Sequence, residues 1–345
     1  MTPSEAKSTF FKKLKQFAKD GDPANLYHEN ADWFGSHPFN EIKGHSAIVD
    51  VWKTITNAIP DMERRDSIFV AGHSKPDVRM PDGFTDRLLI ASLGTYQGTF
   101  EKDLLHIPAT HGVVHLRFCE VHHIKDGLIE HSYVMLDFLD LMRQAGVWPI
   151  PASLGAEHVW PTPASMDGVR PEICDEKAGD QAFDVVMGMH AALLSFDGVD
   201  LDSMKHSKFW DEHFMWYGPS GIGSTRAMSG FRAHHQIPFL TGFPDRKGAG
   251  HYIRIGDGNY VVTGGWPSVV GTHTGEWLGM PATGKIIDMR VMDFYRIENG
   301  KICENWVPID VIHMLKQMGF DVFKRLKHLR GLPERNLTSA KAGGY

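Results

Sequence analysis

Apolar residues recur at helical spacing in two distant places. Over Glu5–Ala18, Phe10, Phe11, Leu14 and Phe17 share one stripe, and over Gln181–Ser195 the stripe is Phe183, Val186, Met187, His190 and Leu194. Each stripe opens the same succession of elements. A short helical turn and a strand at Trp33 or Trp216 come next, then a helix around His45–Ala58 or Phe231–Leu240. Alternating or apolar runs predict strands near Arg64–Ala71 and Leu88–Gly98 in the first half, and near Tyr252–Ile255 and Tyr260–Gly275 in the second. The last two strands of each half form a hairpin through Lys125-Asp126-Gly127 or Glu298-Asn299-Gly300. Asp137 and Asp310 then precede apolar helical runs that stop at Gly146 and Gly319, as N-cap and C-terminal glycine chemistry requires.

The parallel is a sequence repeat. Ile107–Val147 aligns without gaps to Met280–Phe320 at a constant spacing of 173 residues, with eleven of 41 positions identical. Among them are Arg117/Arg290, Gly127/Gly300, Val134/Val307 and Asp137/Asp310. Upstream, GTYQGTF at Gly94 echoes GTHTGEW at Gly271, and DWFG at Asp32 echoes MWYG at Met215. A period this long argues for duplicated domains rather than stacked solenoid units. The expected organisation is a first copy over 1–148, a Pro/Gly-rich linker over 149–179, a second copy over 180–330 and a tail over 331–345.

Composition narrows the function class. The 345 residues carry a formal net charge of −6 with no large basic cluster, which argues against a nucleic-acid or anionic-membrane surface. No apolar run approaches the roughly 20 residues of a membrane span. Three cysteines without metal-ligand spacing fit a reducing, cytoplasmic setting and no disulfide framework. The twenty histidines include the adjacent pairs His122-His123 and His234-His235, but none has HExxH spacing with an acidic third ligand, so no metal and no cofactor is expected.

The run GTHTGEWLGMPATGK, followed by DFYRIENGKICENW and a helix with LKQMG, resembles the SnoaL-like polyketide cyclases of the nuclear transport factor 2-like superfamily. The resemblance implies two tandem cone-shaped α+β barrels, each a curved mixed sheet wrapped by helices around a small-molecule pocket. It implies dimerisation through the convex face, here between the two copies as an intrachain pseudo-dimer, with monomeric or higher assemblies both open. It also implies acid/base chemistry on polyketides without metal or cofactor. The family's acid/base aspartate falls on Val307 and Val134, and its histidine on Asn305 and Ser132, so the specific cyclase activity does not carry over.

A three-residue hairpin loop would place Asp293 opposite Asn305 and Tyr295 opposite Cys303. In the first copy it would place Glu120 opposite Ser132 and His122 opposite Glu130. A two-residue loop would flip one strand's set relative to the other, and the resemblance implies the three-residue loop. The catalytic candidates are Asp293, Asn305, His273 and Glu120. Tyr295, Trp216, Tyr217, His122, Glu130, Ser132 and Trp33 are candidates for ligand contact. Carboxylates on an inward face suit proton abstraction, and the aromatics suit stacking on a planar ligand. Two functions stay open: a cofactor-independent lyase, isomerase or cyclase acting on a polyketide-like or aromatic carbonyl compound, or a non-catalytic binding or scaffolding protein. The outer hairpin face, with Met292, Phe294, Ile302, Glu304 and Trp306 in one copy and Cys119, Val121, Ile129, His131 and Tyr133 in the other, is expected to form the interface between the copies.

Overall fold

The computed structural model describes residues 1–21, 24–78, 80 and 83–332. Most of the expected tail, 333–345, lies outside them.

The first copy opens with α1 (Pro3–Asp20). Thr2 and Glu5 close a reciprocal capping box at its start, and Gly21 takes the left-handed conformation that ends it. Phe10, Leu14 and Phe17 form its buried stripe. There follow β1 (Tyr27–Gly35), β2 (Glu41–Lys43), α2 (His45–Ala58), β3 (Glu63–His73), β4 (Leu88–Thr99), β5 (Val113–Lys125), β6 (Leu128–Leu136) and α3 (Phe138–Gln144). The strands form one sheet in the order β2-β1-β6-β5-β4-β3, with β1 and β6 parallel and the rest antiparallel.

The second copy opens with α4 (Glu176–Leu193), capped by Asp175, so the helix begins four residues before 180. It continues through β7 (Trp210–Tyr217), β8 (Thr225–Arg226), α5 (Ala227–Phe231), a π-helical turn (Arg232–Gln236) and α6 (Ile237–Gly242). Then come β9 (Lys247–Gly248), β10 (Ile253–Asp257), β11 (Tyr260–Thr272), β12 (Ile286–Glu298), β13 (Lys301–Trp306), α7 (Val311–Met318) and α8 (Val322–Leu329). Its sheet runs β10-β11-β12-β13-β7-β8, with β9 paired to β11 and β7 parallel to β13. Both sheets are open at their edges; neither closes into the barrel that the resemblance implied.

Hairpin register differs from the expectation in an instructive way. Lys125 pairs with Leu128 and Glu298 with Lys301, so the turns have two residues, with Asp126-Gly127 and Asn299-Gly300 all at positive φ. A bulge then inserts Glu130 in β6 and Cys303 in β13. Beyond it, Glu120 lies opposite Val134, His122 opposite Ser132 and Tyr295 opposite Asn305. This register is two residues from the three-residue-loop expectation, an even number. Asp293, Tyr295, Asn305 and Val307 therefore still share the inner face. Ile129 and Ile302, on the turn side of the bulge, pack in the inner core instead of between the copies.

The two sheets pack against each other. A second core, distinct from the one inside the copies, gathers Ile68, Val70, Leu93, Cys119, Val121 and Tyr133 of the first copy. It joins them to Tyr217, Ile255, Val262, Met292, Phe294 and Trp306 of the second. The copies form an intrachain pseudo-dimer. Phe34 stacks on Tyr133 at 5.0 Å, and the counterpart rings of the second copy, Tyr217 and Trp306, stack at 4.9 Å. The Trp306 indole donates to the linker carbonyl of Pro161 at 3.0 Å. Near the sheet edge, the buried Lys7 ammonium donates to Asp257 at 2.5 Å, tying α1 to β10.

Candidate functional site

The gap-free spacing of β5 and β12 makes each residue of one inner face the counterpart of a residue on the other. Glu120 corresponds to Asp293, His122 to Tyr295, Ser132 to Asn305, Val134 to Val307 and Phe118 to Val291. The same carboxylate position has two different environments.

In the first copy Glu120 is locked. Arg64 donates to it at 2.5 Å and the Tyr96 hydroxyl at 2.6 Å, and His122 Nε2 lies 3.3 Å away. His122 Nδ1 contacts Ser132 Oγ at 2.8 Å, and Arg64 also bonds Asp66. All of these side chains are buried. Burial alone would raise the Glu120 carboxyl, but the Arg64 charge, with His122 and Tyr96, overrides it and brings the value down to about 2. A carboxylate held this way is a poor proton acceptor near neutrality. Glu120, His122 and Ser132 form a closed polar network, and Phe118 packs over the Arg64 guanidinium at 4.4 Å.

In the second copy the filling side chains are replaced by small ones. Tyr96 pairs with Arg64 on one side and Leu116 on the other; the counterpart of Leu116, Met289, pairs with Val269, which pairs with Gly248. Arg64, Tyr96 and Phe118 thus give way to Gly248, Val269 and Val291. Val269, Val291 and Asp293 are only partly buried, whereas their three counterparts are fully enclosed.

Among the described residues no arginine pairs with Asp293. Burial raises its carboxyl to about 7, against the smaller lowering effect of Asn305 and Tyr295. The Asn305 amide is 3.5 Å from its Oδ1 and also donates to the Phe294 carbonyl at 3.3 Å. The Tyr295 hydroxyl lies 3.2 Å from His190 Nε2, on α4, whose ring meets that of His251 edge-on at 5.6 Å. Trp216 pairs with Asn305 across β7 and β13 and stacks on His235 at 4.0 Å; His235 stacks in turn near Phe239 at 5.7 Å. Burial pushes His235 down to about 3, so the ring is neutral. The π turn carries His235 into this position, and π turns are frequent at functional sites.

The structure therefore brings together Asp293, Tyr295, Asn305 and Trp216. The other candidates lie elsewhere. Tyr217 faces outward into the core between the copies and donates to Glu304 at 3.0 Å, because successive strand residues point to opposite faces. Glu130 is the bulge residue and turns outward to Lys125, His123 and His131. Trp33 is buried against Phe39 in the filled first copy.

His273 lies just past the end of β11, ten residues from Thr263, the partner of Asp293. Its Nδ1 contacts Thr283 at 3.1 Å and its ring stacks near Phe243. Its counterpart is Phe100, not Tyr96. Thr99 and Thr272, each just before, bond the carboxylates of Asp61 and Asp245 in the same two-point manner. The motif echo at Gly94 and Gly271 is thus four residues out of structural register.

Sequence reasoning passed over Arg64, Gly248 and Val269. Arg64 stands among other charged residues, Glu63, Arg65 and Asp66, so nothing local marks it as buried, and its partner Glu120 is 56 residues away.

Asp137 and Asp310 were expected as helix caps, and one oxygen of each does cap α3 or α7. The other oxygen crosses to the opposite copy: Asp137 accepts from the Ser220 N–H at 3.0 Å, and Asp310 from the His37 N–H at 2.9 Å.

The family model for SnoaL-like polyketide cyclases matches residues 186–318. Solved structures similar to the chain include IdmH from Streptomyces antibioticus, provisionally described as a polyketide cyclase. It has 16% identity and a TM-score of 0.34, over 41% of this chain and 99% of that one. An NTF2-like protein from Burkholderia xenovorans LB400 has 14% identity and a TM-score of 0.30, over 41% and 97%. TsrD from Streptomyces laurentii has 16% identity and a TM-score of 0.30, over 41% and 96%. No curated protein matches the chain. Among the described residues no helix is long and apolar enough to cross a membrane.

Proposed function

We propose that the second copy binds a small aromatic or polyketide-like carbonyl compound and that Asp293 acts on it as a general acid/base. The carrying observation is the Glu120/Asp293 contrast: one position, paired with Arg64 and enclosed in the first copy, held by neutral partners and partly exposed with its carboxyl near 7 in the second. A base that titrates near the working pH combines a useful ionised fraction with proton-transfer driving force.

In this reading the Asp293 carboxylate removes a proton from the carbon beside a carbonyl. The C–H electron pair moves to the carbonyl oxygen as an enolate, with Tyr295 or Asn305 as the available donors. The proton then returns to another carbon, which is isomerisation, or the enolate carbon attacks a second carbonyl, whose π electrons move to its oxygen and take the proton back from Asp293, which is an aldol-type cyclisation. Trp216, buried and stacked on His235, gives the site a rigid aromatic backing beside Asn305. The first copy serves as the structural half that covers the convex face.

The second reading is a binding or scaffolding protein without chemistry, favoured by valine at the family's aspartate position, Val307. Ligand screening by thermal shift against planar polyketides and aromatic ketones, on the parent and Val291→Phe, separates binding from its absence. Product analysis on Asp293→Asn then separates catalysis from binding. Binding that Val291→Phe abolishes supports the pocket; binding unchanged in that variant contradicts it.

A further inference from the structure

We propose that His123, Glu130 and His131, on the outer face of the first copy, form a site for a borderline divalent transition-metal ion of the Zn2+ class. The site is separate from the Asp293 pocket and independent of the reading given for it.

The placement follows from the bulge. His123 and His131 are direct cross-strand partners on β5 and β6, so their side chains stand side by side. Glu130, the extra residue of the bulge, turns out between them. His123 Nδ1 is 3.3 Å from Glu130 Oε2, and His131 Nε2 is 3.4 Å from the same oxygen. Two ligands about 2.0–2.1 Å from a tetrahedral Zn2+ are separated by roughly 3.3–3.4 Å, so both spacings fit a shared ion. One candidate ligand atom from each of the three residues lies within 4.8 Å of the others.

A second observation points the same way. His131 presents its other nitrogen, Nδ1, to Asp32 Oδ2 at 3.4 Å, and Asp32 is held in turn by Lys43. A carboxylate behind the distal nitrogen is the usual support of a metal-bound histidine, because it fixes the tautomer and the ring orientation. Burial lowers the protonation range of both rings, to about 4 for His123, so they are neutral and can ligate at neutral pH. The two rings lie at 11° to one another, so closing on an ion requires one to turn about a soft terminal torsion.

Lys125 occupies the other Glu130 oxygen at 2.7 Å and leaves Oε2 available. His123 and Glu130 border a surface cleft with Thr85, Arg87 and Lys125, which gives an ion an entry path and leaves the fourth position to water or an anionic ligand. Two imidazoles and one carboxylate select the Zn2+ class over Mg2+, which prefers oxygen ligands.

In the second copy the counterparts are Arg296, Cys303 and Glu304. There an Arg296–Glu304 ion pair fills the position, and the linker N–H of Ala164 caps Glu304 at 3.1 Å. The same bulge is thus sealed in one copy and carries a ligand-like triad in the other.

The test uses the full chain, stripped of metal with a chelator. Zn2+ is titrated calorimetrically, and Co2+ is followed by its visible absorption, which is intense for tetrahedral coordination. The expected result is one saturable site for each ion and none for Mg2+. Glu130→Gln, His123→Gln and His131→Gln should each weaken binding at least tenfold, and Asp32→Asn about tenfold. His213→Gln, at an exposed histidine outside the cluster, should leave it unchanged. Circular dichroism of the metal-free variants checks the fold, and any correctly folded member of the series suffices. Failure of the parent to bind Zn2+ saturably overturns the proposal, as does retention of parent affinity in the folded ligand variants.

Discussion

Cys119 Sγ lies 3.1 Å from Met292 Sδ, and the two are the same position in the two copies. A residue that meets its own counterpart lies on the axis relating the halves. The approximate twofold of a homodimer thus persists inside one chain, passing through β5 and β12. The paired clasps of Asp137 on Ser220 and Asp310 on His37 repeat the same symmetry on either side.

The interface core should be indispensable. Trp306 is fully buried, stacked on Tyr217 and bonded to the linker. Trp306→Glu loses an aromatic and buries an unpaired charge, with an expected cost of about 4 kcal/mol or more. Denaturant unfolding reads the loss, and a variant as stable as the parent would remove this face as the contact between the copies.

The clasps should contribute individually. Asp137→Ala or Asp310→Ala leaves a helix end and an N–H of the opposite copy without an acceptor, an expected loss of about 1–3 kcal/mol each. Because the sites are separate, the double variant should lose close to the sum. Thermal unfolding of the single and double variants measures both.

The two inner carboxylates should respond to pH in opposite directions. Glu120 has a lowered folded value, about 2 against 4.5, so its contribution is present above 4.5 and disappears as pH falls toward 2. Asp293 has a raised folded value, about 7 against 3.8, so the folded state holds an extra proton between these limits and stability declines as pH rises through them. Asp293→Asn should therefore match the parent below pH 4 and exceed it above pH 7. The difference between 3.8 and about 7 sets a ceiling of about 4 kcal/mol, and partial exposure reduces the expected gain to about 1–2 kcal/mol. Stability curves at pH 4 and pH 8 provide the comparison.

Arg64 should matter structurally. Arg64→Met strands a buried Glu120 carboxylate, with an expected loss of about 3–5 kcal/mol, and adding Glu120→Gln should recover part of it. Neither change touches the second copy, so ligand binding there should be retained once folding is restored. Loss of binding in the refolded double variant would implicate the first copy in the site.

The duplication, the order of elements and the apolar outer face were legible because each rests on local pattern: helical stripes, paired Gly turns and a gap-free repeat. Beyond the bulge the hairpin faces came out correctly from a wrong loop length, since bulge and turn together displaced the register by two, whereas Ile129, Glu130 and Ile302, at the bulge and on its turn side, came out on the opposite face. What escaped the sequence was non-local. The partner of Glu120 lies on a strand 56 residues upstream, and the partial exposure of Asp293 goes with Gly248, Val269 and Val291 standing together where the first copy has Arg64, Tyr96 and Phe118. Motif similarity also misled at His273, where a repeated GT pair aligns four residues away from the structural match. Tyr217 was misplaced because adjacent aromatics on a strand face opposite sides.

Asp293, alone of the paired inner carboxylates, is expected to titrate near neutrality at a partly exposed position. Carbon NMR of protein labelled at the aspartate carboxyl carbon measures it directly, with Asp293→Asn providing the assignment. The expected result is a carboxyl resonance that titrates close to pH 7 and is missing from the variant. An Asp293 carboxyl that is fully ionised by pH 5 would contradict the account.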